Sequence, residues 1–267
     1  MGKPFIAWTV AVALAASTPS AAAAATVMTD TVKTALEKTI AGADRTQADK
    51  LSSLYNELLS AQSQEEEWSA KIKALSTQNK ESLASITKQI KQIDDAKLDK
   101  LEADAVRTRE RYAPLLAHYT LLNKQLEAAR SLGSKEMSRM LSLQINTLKI
   151  PVQLARLNIK SQDAAWKAGK EQAAKTAKKV RAQLGDLDPI QAQIKAKQGA
   201  VKTIESGAAP VWSSFKQAVK QKDAKTAQST LASIVSLSRQ VNEEKKHIHS
   251  LEAKITKVLT AAKTQLP

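Results

Sequence analysis

A seven-residue repeat of apolar side chains begins at Leu51, and it constrains the fold more than any other feature. One heptad seam contains Leu51, Leu58, Glu65, Ile72, Asn79, Ile86 and Ile93, and a second contains Leu54, Ala61, Trp68, Leu75 and Ser82. This spacing places both seams on one face of an α-helix, as in coiled coils. We predict a helix over residues 46–93 that starts at Thr46. The polar seam residues Glu65 and Asn79 are expected to specify register or partner.

A second apolar series begins at Leu98 and alternates steps of three and four residues as far as Ala129. The phase changes between Ile93 and Leu98, which leaves two interpretations open. Either a turn separates two helices, with Asp94 or Asp95 as the N-cap, or one helix is locally overwound or underwound. Pro114 lies inside the second series and predicts a kink there.

Three further helices are predicted after the glycine-containing turn at Leu132-Gly133-Ser134. The first carries an apolar seam at Ile145, Val152, Ile159, Trp166, Ala173 and Val180, and Pro151 is expected to bend it. Residues 185–189 and, more weakly, residues 207–210 combine glycine and proline in the pattern of helix breaks. Asp223 is expected to cap the last helix. The total is about six helices, two of them short.

The predicted fold class is all-α: an elongated antiparallel helical bundle or a set of coiled-coil hairpins. The chain has only 7 Gly and 7 Pro in 267 residues, too few turn residues for a sandwich, barrel or repeated βαβ sheet. Long helices with a single apolar face must be covered, so we expect the chain to fold back at Asp94-Asp95, Gly133 and Gly185. Pairing of the seams between two chains is the alternative.

Residues 1–25 have the pattern of a secretory signal peptide. Lys3 precedes an uncharged apolar run from Phe5 to Ala16, and small residues before position 26 provide cleavage sites, most simply after Ala25. The run is shorter than the roughly 20 residues that span a bilayer, although an uncleaved anchor is the alternative. We therefore predict a secreted or extracytoplasmic protein, with no transmembrane span in the mature chain.

Charge divides the chain into two regions of different character. Residues 26–131 contain 16 basic and 16 acidic side chains, whereas residues 132–267 contain 24 basic and 10 acidic ones. The region 26–131 is therefore predicted to form charge-neutral coiled-coil helices, and the region 132–267 to be strongly basic. A field of this size attracts negatively charged polymers.

The densest basic stretch supplies the candidate binding residues for a polyanion. They are Arg156, Lys160, Lys167, Lys170, Lys175, Lys178, Lys179 and Arg181. A solvated helix face is the simpler interpretation of such a charge run. If the stretch binds, the partners expected outside the cytoplasm are anionic cell-wall polymers or lipid headgroups. Nucleic acid is disfavoured because Trp166 is the only aromatic residue among these cations. The apolar side of this stretch is mostly alanine, which also disfavours membrane insertion.

No motif indicates catalysis, a cofactor or a metal site. The chain has no cysteine, no phosphate-binding glycine loop and no nucleophile elbow. His247 and His249 are two residues apart on a predicted helix and point in different directions, and His118 stands alone. The acidic runs at residues 65–67, 94–95 and 243–244 are typical of solvated or capping positions. We predict a protein that is not an enzyme and holds no cofactor or metal.

The sequence therefore predicts a secreted helical protein of the cell envelope that binds anionic surface polymers through its basic C-terminal half. Self-association through the seams of the neutral half is a further expectation. The alternative function is an extracytoplasmic chaperone or scaffold that holds client proteins with helical arms.

Overall fold

The computed structural model describes residues 28–267, which fold into six α-helices. No strand occurs within this range, and the all-α prediction is confirmed. The predicted signal peptide lies outside the described residues. Only the first helix is short, so the expectation of two short helices is wrong. The helices are α1 Asp30–Ala41, α2 Arg45–Lys91, α3 Asp95–Ser131, α4 Lys135–Gly185, α5 Leu187–Gln221 and α6 Ala224–Lys263.

The heptad seam of α2 is buried as the sequence predicts. Leu51, Leu58 and Ile86 are almost fully buried, and the polar seam residue Asn79 is buried with them. Glu65 is half-buried on the same face. These seam residues are thus covered within a single chain.

The chain breaks of the first half are real turns with different backbone geometry. α2 ends at Lys91 and α3 begins at Asp95, so residues 93–98 contain a turn and not a continuous helix. Asp94 occupies the N-cap position with a left-handed backbone (φ 57°), and its side chain makes no capping hydrogen bond. Gly133 turns the chain between α3 and α4 with φ 74°, a conformation that glycine adopts without strain.

The two breaks predicted in the second half have different outcomes. Asp186 alone separates α4 from α5, and its backbone is right-handed helical (φ −66°, ψ −11°) with no side-chain cap. α4 ends at Gly185 and α5 begins at Leu187, so a helix break lies within residues 185–189 as predicted. α5 continues through Gly207 and Pro210, which removes the break expected at residues 207–210. The helix tolerates Pro210 because the missing N–H costs one hydrogen bond in a 35-residue helix.

The described chain divides into two compact units. Unit 1 contains the described residues up to Thr87 together with Ala182–Lys263, and unit 2 contains Lys88–Arg181 and Thr264–Pro267. In unit 1, α5 and α6 form an antiparallel hairpin whose turn is capped by Asp223, since its carboxylate accepts a hydrogen bond from the N–H of Thr226 (3.0 Å). The predicted cap at Asp223 is confirmed.

The core of unit 1 brings together helices that are far apart in sequence. Trp212 and Phe215 of α5, with 2% and 0% of their surfaces exposed, pack with residues of α1, α2 and α6. α1 also joins α5 through the Thr39 hydroxyl, which donates to the carbonyl of Val219 (3.1 Å). The buried members of this core are Leu36, Leu51, Leu58, Trp212, Phe215, Ala218, Val219, Ala227, Leu231, Ile234 and Val235.

Polar contacts between α2 and α6 show that these two helices run parallel, because later residues of α2 contact later residues of α6. They are Glu57 with Arg239, the carbonyl of Ala61 with Asn242, Glu65 with Lys245, and Asn79 with Glu252. Both polar residues of the predicted α2 seam take part. These contacts can form in only one register, which supports the registry role expected for Glu65 and Asn79.

Candidate anionic-surface site on helix α4

Unit 2 is built around an antiparallel hairpin of α3 and α4. Leu122 and Leu126 of α3 bury against Ile145 of α4, and further along the hairpin Arg109 forms an ion pair with Asp163 (2.6 Å). At the other end Gly169 approaches α3 closely, since a Cβ at this position would lie 3.0 Å from a methyl group of Leu101. The hairpin therefore fixes which side of α4 faces α3 and which side faces solvent.

The buried side of α4, which faces α3 at Ile145, follows one heptad seam. Ile145, Val152, Ala173 and Val180 are buried at one heptad position, as the sequence predicts. Trp166 is half-buried on the same seam, and the Nζ atom of Lys170 lies 4.6 Å from the centre of its ring. Trp166 is thus a packing residue with a cation above it, and it is not a free stacking platform.

All eight predicted polyanion-binding residues lie on the exposed surface of α4. They are Arg156, Lys160, Lys167, Lys170, Lys175, Lys178, Lys179 and Arg181. None of the ion pairs within residues 28–267 involves any of the eight. The only acidic residues between positions 156 and 181 are Asp163, which is paired with Arg109, and Glu171. The stretch therefore presents a strong positive field to solvent.

Most of these cations belong to a longer row along one side of the helix, which we name the basic flank. In the heptad frame set by the buried seam, its members occupy two neighbouring positions next to the side that faces α3. At about 1.5 Å per residue, the row extends for roughly 70 Å. The basic flank consists of Lys135, Arg139, Lys149, Arg156, Lys160, Lys167, Lys170 and Arg181, and all eight are exposed.

The structure also reveals an exposed apolar row on α4 that the sequence analysis did not single out. We name it the apolar stripe; between 56% and 68% of the surface of each member is exposed. In the same heptad frame the row lies opposite the seam that packs on α3 and beside the basic flank. The signal was a second apolar series in the same helix, with steps of three, four or seven residues. The apolar stripe consists of Met137, Met140, Leu143, Ile150, Leu154 and Leu157.

Within residues 28–267, the histidines and acidic runs singled out in the sequence are spread over several helices. The part of the chain that the structure describes contains no cluster of three or more His, Asp or Glu residues able to hold a metal ion. His249 packs against the ring of Trp68, with 5.4 Å between ring centres, and His118 is exposed. Glu65 forms an ion pair with Lys245 (2.8 Å). None of these groups is arranged around a common cleft.

Comparisons with protein-family models, with curated proteins and with solved structures find no match for this chain. Within residues 28–267, no helix combines the length and apolar character needed to cross a membrane.

Proposed function

We propose that this protein is a non-enzymatic helical protein of the cell envelope that holds to anionic surface polymers or headgroups through α4. The observation that supports the proposal is the set of eight exposed cations from Arg156 to Arg181, none of which is neutralised by an ion pair within the described chain. The extracytoplasmic location comes from the signal-peptide pattern of residues 1–25.

The geometry suits a long polymer or an extended surface better than a small ligand. Arg156 and Arg181 are 25 positions apart on one helix, which corresponds to about 38 Å. The charges lie on a convex surface and do not converge on a pocket. Each exposed cation contributes little by itself, but a row of them releases many counterions from a polyanion and makes binding steeply salt-dependent.

A second candidate function is an extracytoplasmic chaperone or scaffold that holds client proteins with its helical hairpin. One observation favours it: the apolar stripe is exposed on an arm formed by only two helices. Exposed apolar rows of this kind mark interaction surfaces. This function predicts that the protein suppresses aggregation of an unfolded client at high salt, where polyanion binding is lost.

Co-sedimentation with purified cell-wall sacculi tests the leading proposal. The chain beginning at residue 26 is mixed with sacculi across a salt series, before and after the anionic polymers are stripped. We expect binding at low salt that disappears at high salt and after stripping. Binding that survives both treatments would indicate a specific glycan or peptide site and would contradict the proposal, as would a lack of binding at low salt.

Charge reversal on α4 gives the sharper version of this experiment. The test variant carries K167E, K170E, K178E and R181E, and the matched control carries K195E, K216E, K220E and K257E. All eight positions are exposed, so both variants change the net charge equally and should keep their helicity. We expect the test variant to lose binding and the control to lose much less. Equal loss in both would show that net charge, and not α4, is responsible.

A further inference from the structure

The segment of α4 from Met137 to Lys160 combines two properties that rarely occur together in a solvent-facing helix. It contains no Asp or Glu in 24 consecutive residues, while Arg139, Lys149, Arg156 and Lys160 give it four positive charges. Its outward face carries the apolar stripe, and its inward face packs on α3. The segment is therefore apolar on two opposite faces and basic along the flank between them.

We propose that the apolar stripe and the adjoining basic flank together dock α4 onto the surface of a bilayer that contains anionic lipids. The inference rests on the proposed function and names its partner as lipid. The helix lies parallel to the membrane plane, with the stripe inserted at the level of the headgroups and the basic side chains reaching the phosphates beside it. Docking of this kind needs no membrane-spanning helix.

The side chains on the outward face of α4 change from apolar to basic along the helix, which suits contact with the surface of an anionic bilayer. From Met137 to Leu157 its residues are apolar except Thr147, whereas Lys175 and Lys178 occupy the same two heptad positions further on, after Glu171. One helix face can therefore insert side chains with its first part and contact headgroups with its second. Because α3 covers the opposite side of α4, it leaves this face open to a flat surface.

A second copy of the same stripe is a poor occupant on electrostatic grounds. The segment from Met137 to Lys160 has no acidic residue, so two copies bring only like charges together, whether they pair parallel or antiparallel. In addition, Thr147 interrupts the apolar row at a position that a coiled-coil seam would fill with an apolar residue.

A protein partner fits less well than a bilayer because of the shape of the surface. The stripe is a single row of side chains on a convex helix, so a protein would have to supply both an apolar groove and acidic residues along its rim. An anionic bilayer provides both features at once, because its headgroups are mobile and its acyl boundary accommodates each side chain separately.

Vesicle binding by the chain beginning at residue 26 tests the inference. The probes are phosphatidylcholine vesicles with and without phosphatidylglycerol, and soluble polyphosphate as an anion without a bilayer. The stripe variant carries L143S, I150S and L154S, and the matched control carries L59S, V106S and L121S. The six leucine, isoleucine and valine side chains are exposed, so both variants should keep the helical content of the parent chain.

We expect the parent chain and the control to bind vesicles that contain phosphatidylglycerol and to bind phosphatidylcholine alone much more weakly. The stripe variant should bind the anionic vesicles at least about tenfold more weakly, because three inserted apolar side chains are lost, while it binds polyphosphate like the parent. That combination separates insertion into lipid from simple charge attraction.

Other outcomes overturn the inference in distinguishable ways. Vesicle binding by the stripe variant equal to that of the parent would show that the stripe does not insert. Binding of polyphosphate without binding of vesicles would refute lipid docking and leave the proposed function standing, whereas binding of neither would refute both. If the parent chain is a dimer and the stripe variant is a monomer, a second copy of the chain covers the stripe. If vesicles cannot displace an unfolded client protein that is bound to the parent chain, a client protein covers the stripe.

Discussion

Replacement of Asn79 by alanine tests whether the polar contacts between α2 and α6 stabilise unit 1. Asn79 and Glu252 have only 1% and 3% of their surfaces exposed. The Nδ2 atom of Asn79 donates to both the carbonyl (3.0 Å) and the Oε2 atom (2.8 Å) of Glu252. Its Oδ1 atom accepts a hydrogen bond from the hydroxyl of Thr256 (2.8 Å). We refer to Asn79, Glu252 and Thr256 as the buried polar cluster.

The expected cost follows from what the substitution leaves behind. Alanine removes three hydrogen bonds, one of them to a carboxylate, and leaves the buried Oε2 atom of Glu252 without that donor. A hydrogen bond to a charged group contributes roughly 1.5–3 kcal/mol, and a buried polar group that loses its partner costs a similar amount. Relaxation of the Thr256 hydroxyl recovers part of this loss. We therefore expect N79A to lower the free energy of unfolding by about 3 kcal/mol.

Urea unfolding of the full chain, followed by far-ultraviolet circular dichroism, measures this difference. The matched control is N123A, because Asn123 is exposed and its side chain donates only to the carbonyl of Tyr119 in its own helix. The control should change the free energy of unfolding by less than about 0.5 kcal/mol. A loss below about 1 kcal/mol for N79A would show that the buried polar cluster is not fully hydrogen-bonded and closed to water.

A double substitution tests whether Asn79 and Glu252 are energetically coupled. N79L combined with E252M removes both polar partners and replaces them with apolar groups of similar size. Because no unpaired carboxylate remains, the double variant should lose less stability than the sum of its two single variants. Simple additivity of the two losses would show that Asn79 and Glu252 are not energetically coupled.

Two further predictions concern the ends and interiors of helices. Hydrogen bonds from the side chain and backbone of Thr226 hold the pKa of Asp223 below its usual range. The charged cap therefore stabilises the fold above the ordinary pKa of an aspartate, and this stabilisation is lost as the pH falls through the lower pKa of the folded state. D223N should keep the cap and abolish that loss in thermal melts taken across acidic pH; an unchanged pH dependence would contradict this. G207A should raise the free energy of unfolding by roughly 0.5–1 kcal/mol, because a Cβ meets nothing within 4 Å in a helix interior, whereas G133A should lower it because φ is +74°. The opposite order of the two urea midpoints would show that the backbone argument is wrong.

The heptad pattern carried most of the information about the fold. It predicted the burial of Leu51, Leu58 and Ile86 on α2 and of Val152 and Val180 on α4, because one-sided apolar spacing is a property of the helix itself. It could not predict that α2 and α6 run parallel, since that depends on which seams meet. Long-range contacts such as that between Asn79 and Glu252 determine which seams meet.

The errors came from treating glycine and proline as sufficient helix breaks. Gly207 and Pro210 lie inside α5, which continues past both residues, so their local preference for a break did not end the helix. The candidate site was found only in part for a related reason. Sequence reasoning identified the cations of α4, but it assigned one seam to the helix and so overlooked Leu143 and Ile150 on the other side.

The division of the chain into two units has a consequence for the order in which it can fold. The hairpin of α3 and α4 in unit 2 is encoded by one continuous stretch, so it can form as soon as residues 88–181 are available. Unit 1 must wait, because the seam of α2 is covered by α5 and α6, and the partners of Glu57 and Asn79 lie more than 170 residues later. A chain that emerges from its N-terminus therefore carries an uncovered α2 until almost the last residue has appeared. During that interval the protein is most prone to aggregation and most dependent on chaperones.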